Sequence, residues 1–148
     1  AGKTIEETLK ILCDAAGKEV DYGEFLEEKE RHMAAIYPLV KEIPPVADIA
    51  RAAEGSFRLA VVSSGPRYMV EALLEQSGMD HLFEFMVCAE DVERHKPHPE
   101  PYLMAAQRLG VAPVNCRVFE DADAGIASGK AAGMQTVDVR RMEGYPRT

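Results

Sequence analysis

Three short stretches of this 148-residue chain hold side chains with chemical potential. Ser63-Ser64-Gly65-Pro66 closes the apolar run RLAVVSS (58–64). A serine hydroxyl beside the N–H groups of a starting helix makes a seat for an anion. Lys96 stands in VERHKPHPEPY (92–102), among Pro97, Pro99 and Pro101. Each proline removes a backbone donor and fixes φ, so the stretch is neither helix interior nor strand interior; it is a stiff corner around one cation. Glu120 and Asp121, with Asp123 two residues on, close the run RVFED (117–121). Adjacent carboxylates suit a hard divalent cation such as Mg2+, which prefers oxygen ligands and keeps several waters. Taken singly, each feature has a plain alternative: a helix cap, a solvated lysine, or acids placed against a helix dipole. Together, a hydroxyl, a fixed cation and paired carboxylates are the parts that phosphoryl transfer requires.

These groups need elements to position them. RLAVVSS (58–64), FMVCAE (85–90), RVFED (117–121) and TVDV (136–139) read as strands. Helical patterns lie between them at 67–77, 99–109 and 123–132. Each helix ends in glycine and an apolar residue: Gly78-Met79, Gly110-Val111, Gly133-Met134. Glycine there supplies the left-handed turn that sends the chain back to the sheet. Apolar strands alternating with capped helices predict an α/β fold with a parallel sheet and helices on both faces. In such sheets ligands bind beyond the carboxyl ends of the strands, where all three stretches fall. Upstream the pattern is helical. Residues 4–16 carry Ile5, Leu9 and Leu12 at helical spacing, with Thr4 as N-cap and Gly17 as stop. Residues 22–42 read as one long charged helix with Phe25, Leu26, Met33, Ile36, Tyr37 and Val40 on its apolar face. IPPV (43–46) is a break before a short helix to about Ala53. The expected organisation is a helical part, residues 1–45, and an α/β part, residues 46–148.

Composition narrows the partners. The net charge is -8, from 25 acidic and 17 basic residues, which argues against a nucleic-acid backbone or an anionic membrane as partner. Cys13, Cys88 and Cys116 are odd in number and far apart, so they read as buried thiols in a reducing cytoplasm. No apolar run reaches membrane-spanning length. GKT at 2–4 has no glycine-rich loop before it, and His95 and His98 have no third ligand near; both read as ordinary loop residues. The methionines, among them Met69, Met104 and Met134, read as core filling.

The segment from Leu59 to Val139 strongly resembles the haloacid dehalogenase superfamily, in its β-phosphoglucomutase-like phosphatase branch. VVSSG is similar to that family's second motif, HKPHPEPY to its third and VFEDADAGIASGKAAGM to its fourth. The helices at the start resemble the later half of the family's helical cap. The resemblance implies a fold and roles. Ser63 would hydrogen-bond the transferring phosphoryl group, and Lys96 would neutralise its oxygens. Asp121, with Glu120 beside it, would hold Mg2+ directly or through water. Ser64, Gly65, Pro66 and Arg67 would shape the substrate pocket, and Lys3 in the cap would reach the substrate. The implied substrate is a small phosphorylated metabolite such as a sugar phosphate.

One part of the pattern is missing. The family's first motif is Asp-x-Asp-Gly, whose first aspartate attacks phosphorus; it does not occur in these 148 residues. In the family that motif sits on a strand between those at 59–64 and 117–121, so without it the sheet would be split, with two inner edges unpaired. The chain starts AGKTIEE, and a preceding strand and the first part of the cap are expected upstream. Three functions follow as expectations: a Mg2+-dependent phosphatase, a phosphosugar mutase with the same machinery, or a truncated, non-catalytic binding module. Alone, the chain is expected to be inactive.

Overall fold

The computed structural model describes residues 5–146. The N-cap expected at Thr4 and the substrate contact expected at Lys3 lie outside them. The chain divides into two compact units between Val40 and Lys41.

The first unit is helical: α1 (Ile5–Ala16), α2 (Tyr22–Ile36) and a 3-10 turn at Tyr37–Leu39. The Asp21 side chain caps α2 by accepting the Glu24 N–H at 3.0 Å. Gly17 ends α1 with φ at 61°. The helix expected over 22–42 stops at Ile36. Pro38 is the reason: it lacks a donor and disfavours helical geometry in the residue before it, so the chain tightens into a 3-10 turn and then extends at Val40. Of the expected apolar face, Phe25, Leu26, Met33 and Tyr37 are half-buried while Ile36 and Val40 are exposed.

The second unit alternates. α3 (Pro44–Ala53) starts on the prolines that had read as a break, because proline suits the first helical turn. Then come β1 (Ala60–Val62), α4 (Arg67–Ser77), β2 (Phe85–Val87), α5 (Glu100–Leu109), β3 (Arg117–Glu120), α6 (Asp123–Ala131) and β4 (Gln135–Asp138). Gly78, Gly110 and Gly133 all adopt positive φ, between 65° and 75°. β1 pairs with β2 in parallel, Val61 opposite Met86. β3 pairs with β4 in parallel, Val118 opposite Thr136. The strands are shorter than expected, and they form two pairs rather than one sheet. Among the described residues no ladder joins β1 to β3. Phe119, on β3, is 36% exposed, although parallel strands normally bury both faces.

α5 bridges the pairs. It packs on β1, β2 and α6. Tyr102 and Ala106 of α5 join Val118 of β3, Ala132 and Met134 in one buried cluster, with Val62 of β1 against it. Ser128 of α6 is fully buried, and its hydroxyl donates to the His98 carbonyl at 2.6 Å, fastening α6 to the proline corner. Cys13, Cys88 and Cys116 are free thiols. No helix among the described residues is long and apolar enough to cross a membrane.

Several carboxylates are held below their ordinary range. Arg58 hydrogen-bonds Glu84, the Cys88 N–H and Arg67 hold Asp91, the Glu93 N–H holds Glu100, and Arg140 takes Asp138 down to about 2. Groups whose acidity rises on folding stabilise the fold above their unfolded pKa, and that stabilisation disappears as pH falls through the folded values. Urea midpoints followed by circular dichroism are therefore expected to be flat from about pH 7 to about pH 5, then to fall steadily below about pH 4. A midpoint that holds or rises below pH 4 contradicts this account.

Candidate active site

β1 delivers Ser63. Its backbone N–H donates to the Val87 carbonyl at 2.9 Å, continuing the pairing with β2 by one residue. Its hydroxyl oxygen accepts the Gly65 N–H at 3.0 Å, which fixes the turn and leaves the hydroxyl proton to donate elsewhere. Ser64 is exposed at the rim. Gly65 lies close under α4: a Cβ there would come within 2.3 Å of the Met69 methyl.

The proline corner delivers Lys96 into the gap between the strand pairs. Its side chain is 9% exposed. The ammonium donates to the Val62 carbonyl of β1 at 3.0 Å and to the Glu120 carboxylate of β3. It also sits 4.9 Å from the centre of the Tyr102 ring. An ammonium has three donors, so one remains after these two bonds. The corner is built from local contacts: His98 N–H donates to the His95 carbonyl at 2.9 Å, and His98 Nδ1 accepts the Glu100 N–H at 3.1 Å. His98 is thus a structural cap.

Glu120 is the counter-charge. Oε1 accepts from Lys96 and from the Tyr102 hydroxyl, the latter at 2.9 Å. Oε2 accepts the N–H groups of Asp121 and Ala122 at 3.0 and 3.1 Å. A carboxylate has about four lone-pair sites, and all four are taken. Burial pushes the Glu120 carboxyl up, but the bonds from Lys96, the Ala122 N–H and Tyr102 outweigh it and hold it below the usual range. Burial, with the Glu120 carboxylate beside it, pushes the Tyr102 phenol far up, so it remains a donor. Gly125 makes room for this carboxylate: a Cβ there would lie 1.9 Å from Glu120 Oε1.

Asp121 is exposed at the end of β3, and its Oδ2 accepts the Tyr145 hydroxyl at 3.1 Å. Among the described residues no group of three or more His, Cys, Asp or Glu side chains is placed to hold a metal ion. The donor set fits Mg2+ only in part: Asp121 is an open carboxylate, whereas a direct bond from Glu120 would cost it an existing partner. Magnesium commonly takes one or two carboxylates plus waters and phosphate oxygens. Asp123 and Asp138 are engaged by Arg140 at 2.8 Å each.

Of the expected residues, Lys96 and Glu120 are in direct contact, Ser63 adjoins the Val62 carbonyl that Lys96 holds, and Asp121 is next to Glu120. Arg67 is turned elsewhere. Its Nη2 donates to Asp91 at 2.6 Å and its N–H to Glu90 at 3.0 Å, so it ties the loop after β2 to the start of α4. A groove of about 760 Å³ runs along α6 and β4, lined by Asp123, Lys130, Thr136, Asp138 and Arg140. It contains none of Ser63, Lys96 and Glu120.

The chain is similar in sequence and fold to known proteins. Residues 1–139 match the family model described as haloacid dehalogenase-like hydrolase. The chain is 45% identical over 96 residues to the fructose-1-phosphate phosphatase of Escherichia coli K12, covering 65% of this chain and 51% of that protein. It is 43% identical over 88 residues to hexitol phosphatase A of the same organism, covering 60% and 40%. The chain thus spans about half the length of these curated relatives. A β-phosphoglucomutase from Clostridium difficile superposes with a TM-score of 0.71 at 26% identity, over 88% of this chain and 61% of that one. A hydrolase of this family from Deinococcus radiodurans R1, solved with bound phosphate and sodium, gives 0.67 at 31% identity, over 92% and 60%.

Proposed function

The chain belongs to the haloacid dehalogenase-like hydrolase family, and from that membership we propose that it supplies the phosphate-holding side of a Mg2+-dependent phosphatase. The substrate on this reading is a small phosphorylated metabolite, sugar and sugar-alcohol phosphates first, as the names of the two Escherichia coli relatives suggest. The observation that carries the reading is the Lys96–Glu120 pair, 9% exposed on both sides, set between the ends of β1 and β3 and beside Ser63. A buried ion pair is poor evidence of stabilisation for its own sake. A cation with one donor to spare at the mouth of a parallel sheet is well suited to an anion.

Each residue then has a task. The Ser63 hydroxyl donates to one phosphoryl oxygen and the third proton of Lys96 to another. Asp121 would be the ligand this chain offers to Mg2+, and the ion would supply neutralisation of the phosphoryl charge. Glu120 holds Lys96 in place. Ser64 and Gly65 form the rim, and Arg67 acts indirectly, by fixing the loop after β2. The attacking aspartate lies upstream on a strand seated between β1 and β3. Its carboxylate bonds to phosphorus as the sugar oxygen leaves and takes a proton; water then cleaves the acyl phosphate to orthophosphate and restores the carboxylate. Residues 1–45 keep the role of a partial cap that the family resemblance implies. The reaction belongs in the cytoplasm, where the three thiols stay reduced.

The test uses the protein extended upstream through an Asp-x-Asp-Gly segment. Phosphate release from a panel of sugar and hexitol phosphates is expected with Mg2+ and not with EDTA. An inert extended protein across that panel overturns the phosphatase reading and favours a binding module. The likeness to a β-phosphoglucomutase supports a second reading, phosphosugar mutase; isomerised sugar phosphate without orthophosphate would identify it.

A further inference from the structure

We propose that Tyr102 is a positioning residue for Lys96: it keeps the Glu120 carboxylate fixed while the ammonium is shared with a bound anion. The identity of that anion as a phosphate rests on the phosphatase reading; the hold of Tyr102 on the pair does not.

Tyr102 lies in the first turn of α5 and is buried, 6% exposed. Its ring faces the ammonium at 4.9 Å, and its hydroxyl donates at 2.9 Å to the same Glu120 oxygen that Lys96 contacts. One side chain therefore touches both members of the pair. The consequence concerns what happens when an anion draws Lys96 away. A buried carboxylate that loses its only partner becomes an uncompensated charge, which is strongly unfavourable. Glu120 does not lose its only partner. The hydroxyl remains on Oε1 and the N–H groups of Asp121 and Ala122 remain on Oε2. Tyr102 thereby lowers the cost of lending the ammonium to a ligand. Its ring limits the other direction, giving the ammonium a face to rest against as it moves. Phenylalanine would preserve the second contribution and delete the first; leucine would delete both.

The experiment follows the Lys96 ammonium by nitrogen-detected NMR in the 148-residue chain, titrated with inorganic phosphate, for wild type, Tyr102→Phe and Tyr102→Leu. In wild type the Lys96 signal is expected to exchange slowly with solvent and to shift with phosphate. Tyr102→Phe is expected to leave the melting temperature and the ring-current shift of the lysine methylenes nearly unchanged. It should speed Lys96 proton exchange several-fold and weaken phosphate binding about 3- to 10-fold, the loss of one hydrogen bond. Tyr102→Leu should also abolish the ring-current shift. Unchanged exchange at Lys96 in Tyr102→Phe overturns the proposal, whatever phosphate does. A wild-type Lys96 signal that ignores phosphate at tens of millimolar, with exchange still faster in Tyr102→Phe, sinks the phosphatase reading and leaves Tyr102 as the residue that holds the pair.

Discussion

Assayed alone, the 148-residue chain is expected to release no phosphate from any ester, while the upstream-extended protein turns over. The physical reason is division of labour. Ser63, Lys96 and Asp121 can seat and neutralise a phosphoryl group, yet none is an activated nucleophile: Lys96 is bonded to Glu120, and Asp121 lies at the end of β3 with a phenol on one oxygen. Removing a nucleophile from an otherwise intact site typically costs about 10^4 to 10^6 in turnover. In the extended protein, Lys96→Ala is expected to lower kcat by about a hundredfold or more, since charge neutralisation acts most strongly in the transition state, and to raise KM less. Asp121→Ala should weaken the response to Mg2+. Orthophosphate release is the readout for every variant. Robust release by the short chain means that the nucleophile lies within it, and Asp121→Asn and Asp123→Asn would then identify it.

Gly125→Ala is the second large effect. The new Cβ would lie 1.9 Å from Glu120 Oε1 and 2.1 Å from the carboxylate carbon, so the carboxylate has to move. Glu120 is flexible in principle, but all four of its hydrogen bonds define one position. Displacing it breaks the pair with Lys96 inside a barely exposed site, a change of about 3 kcal/mol or more. A lower urea midpoint and loss of phosphate binding are both expected. The decisive measurement is a double-mutant cycle. Glu120→Ala removes the atoms that the new methyl meets, so in that background Gly125→Ala should be nearly neutral, a coupling of about 3 kcal/mol. Additive effects would show that Gly125 is needed for α6 itself rather than for the seat of Glu120.

Local chemistry made much of this legible. Gly78, Gly110 and Gly133 marked helix ends because only their backbone freedom solves the turn, and each adopts the left-handed geometry. The corner at Lys96 was visible because three prolines have few other uses. The end of α2 was misplaced because the charged pattern runs through Pro38 while the backbone cannot. Arg67 read as facing a ligand; its partner, Asp91, is distant in sequence, and only the approach of β2 to β1 brings the two together. Tyr102 and Gly125 fall inside the stretches that resemble the third and fourth motifs, but their contacts with Glu120 were unreadable for the same reason. Nothing in the spacing of a tyrosine in α5 or a glycine in α6 says that both will meet one carboxylate at the end of β3.

α5 also determines where the second unit gives way. β1–α4–β2 and β3–α6–β4 are each closed by a single short crossover, so each satisfies its own ladder at small loop-closure cost and can open or re-form as a separate cooperative block. Among the described residues only side-chain contacts run between the blocks: the cluster around Tyr102, Ala106 and Val118, and the reach of Lys96 from Val62 to Glu120. Packed side chains shear under strain that hydrogen-bonded ladders resist. The seam between the blocks is therefore the weakest plane of this unit, and Lys96 bridges it. As the temperature rises, the geometry around that lysine should fail while both ladders are still protected from hydrogen exchange.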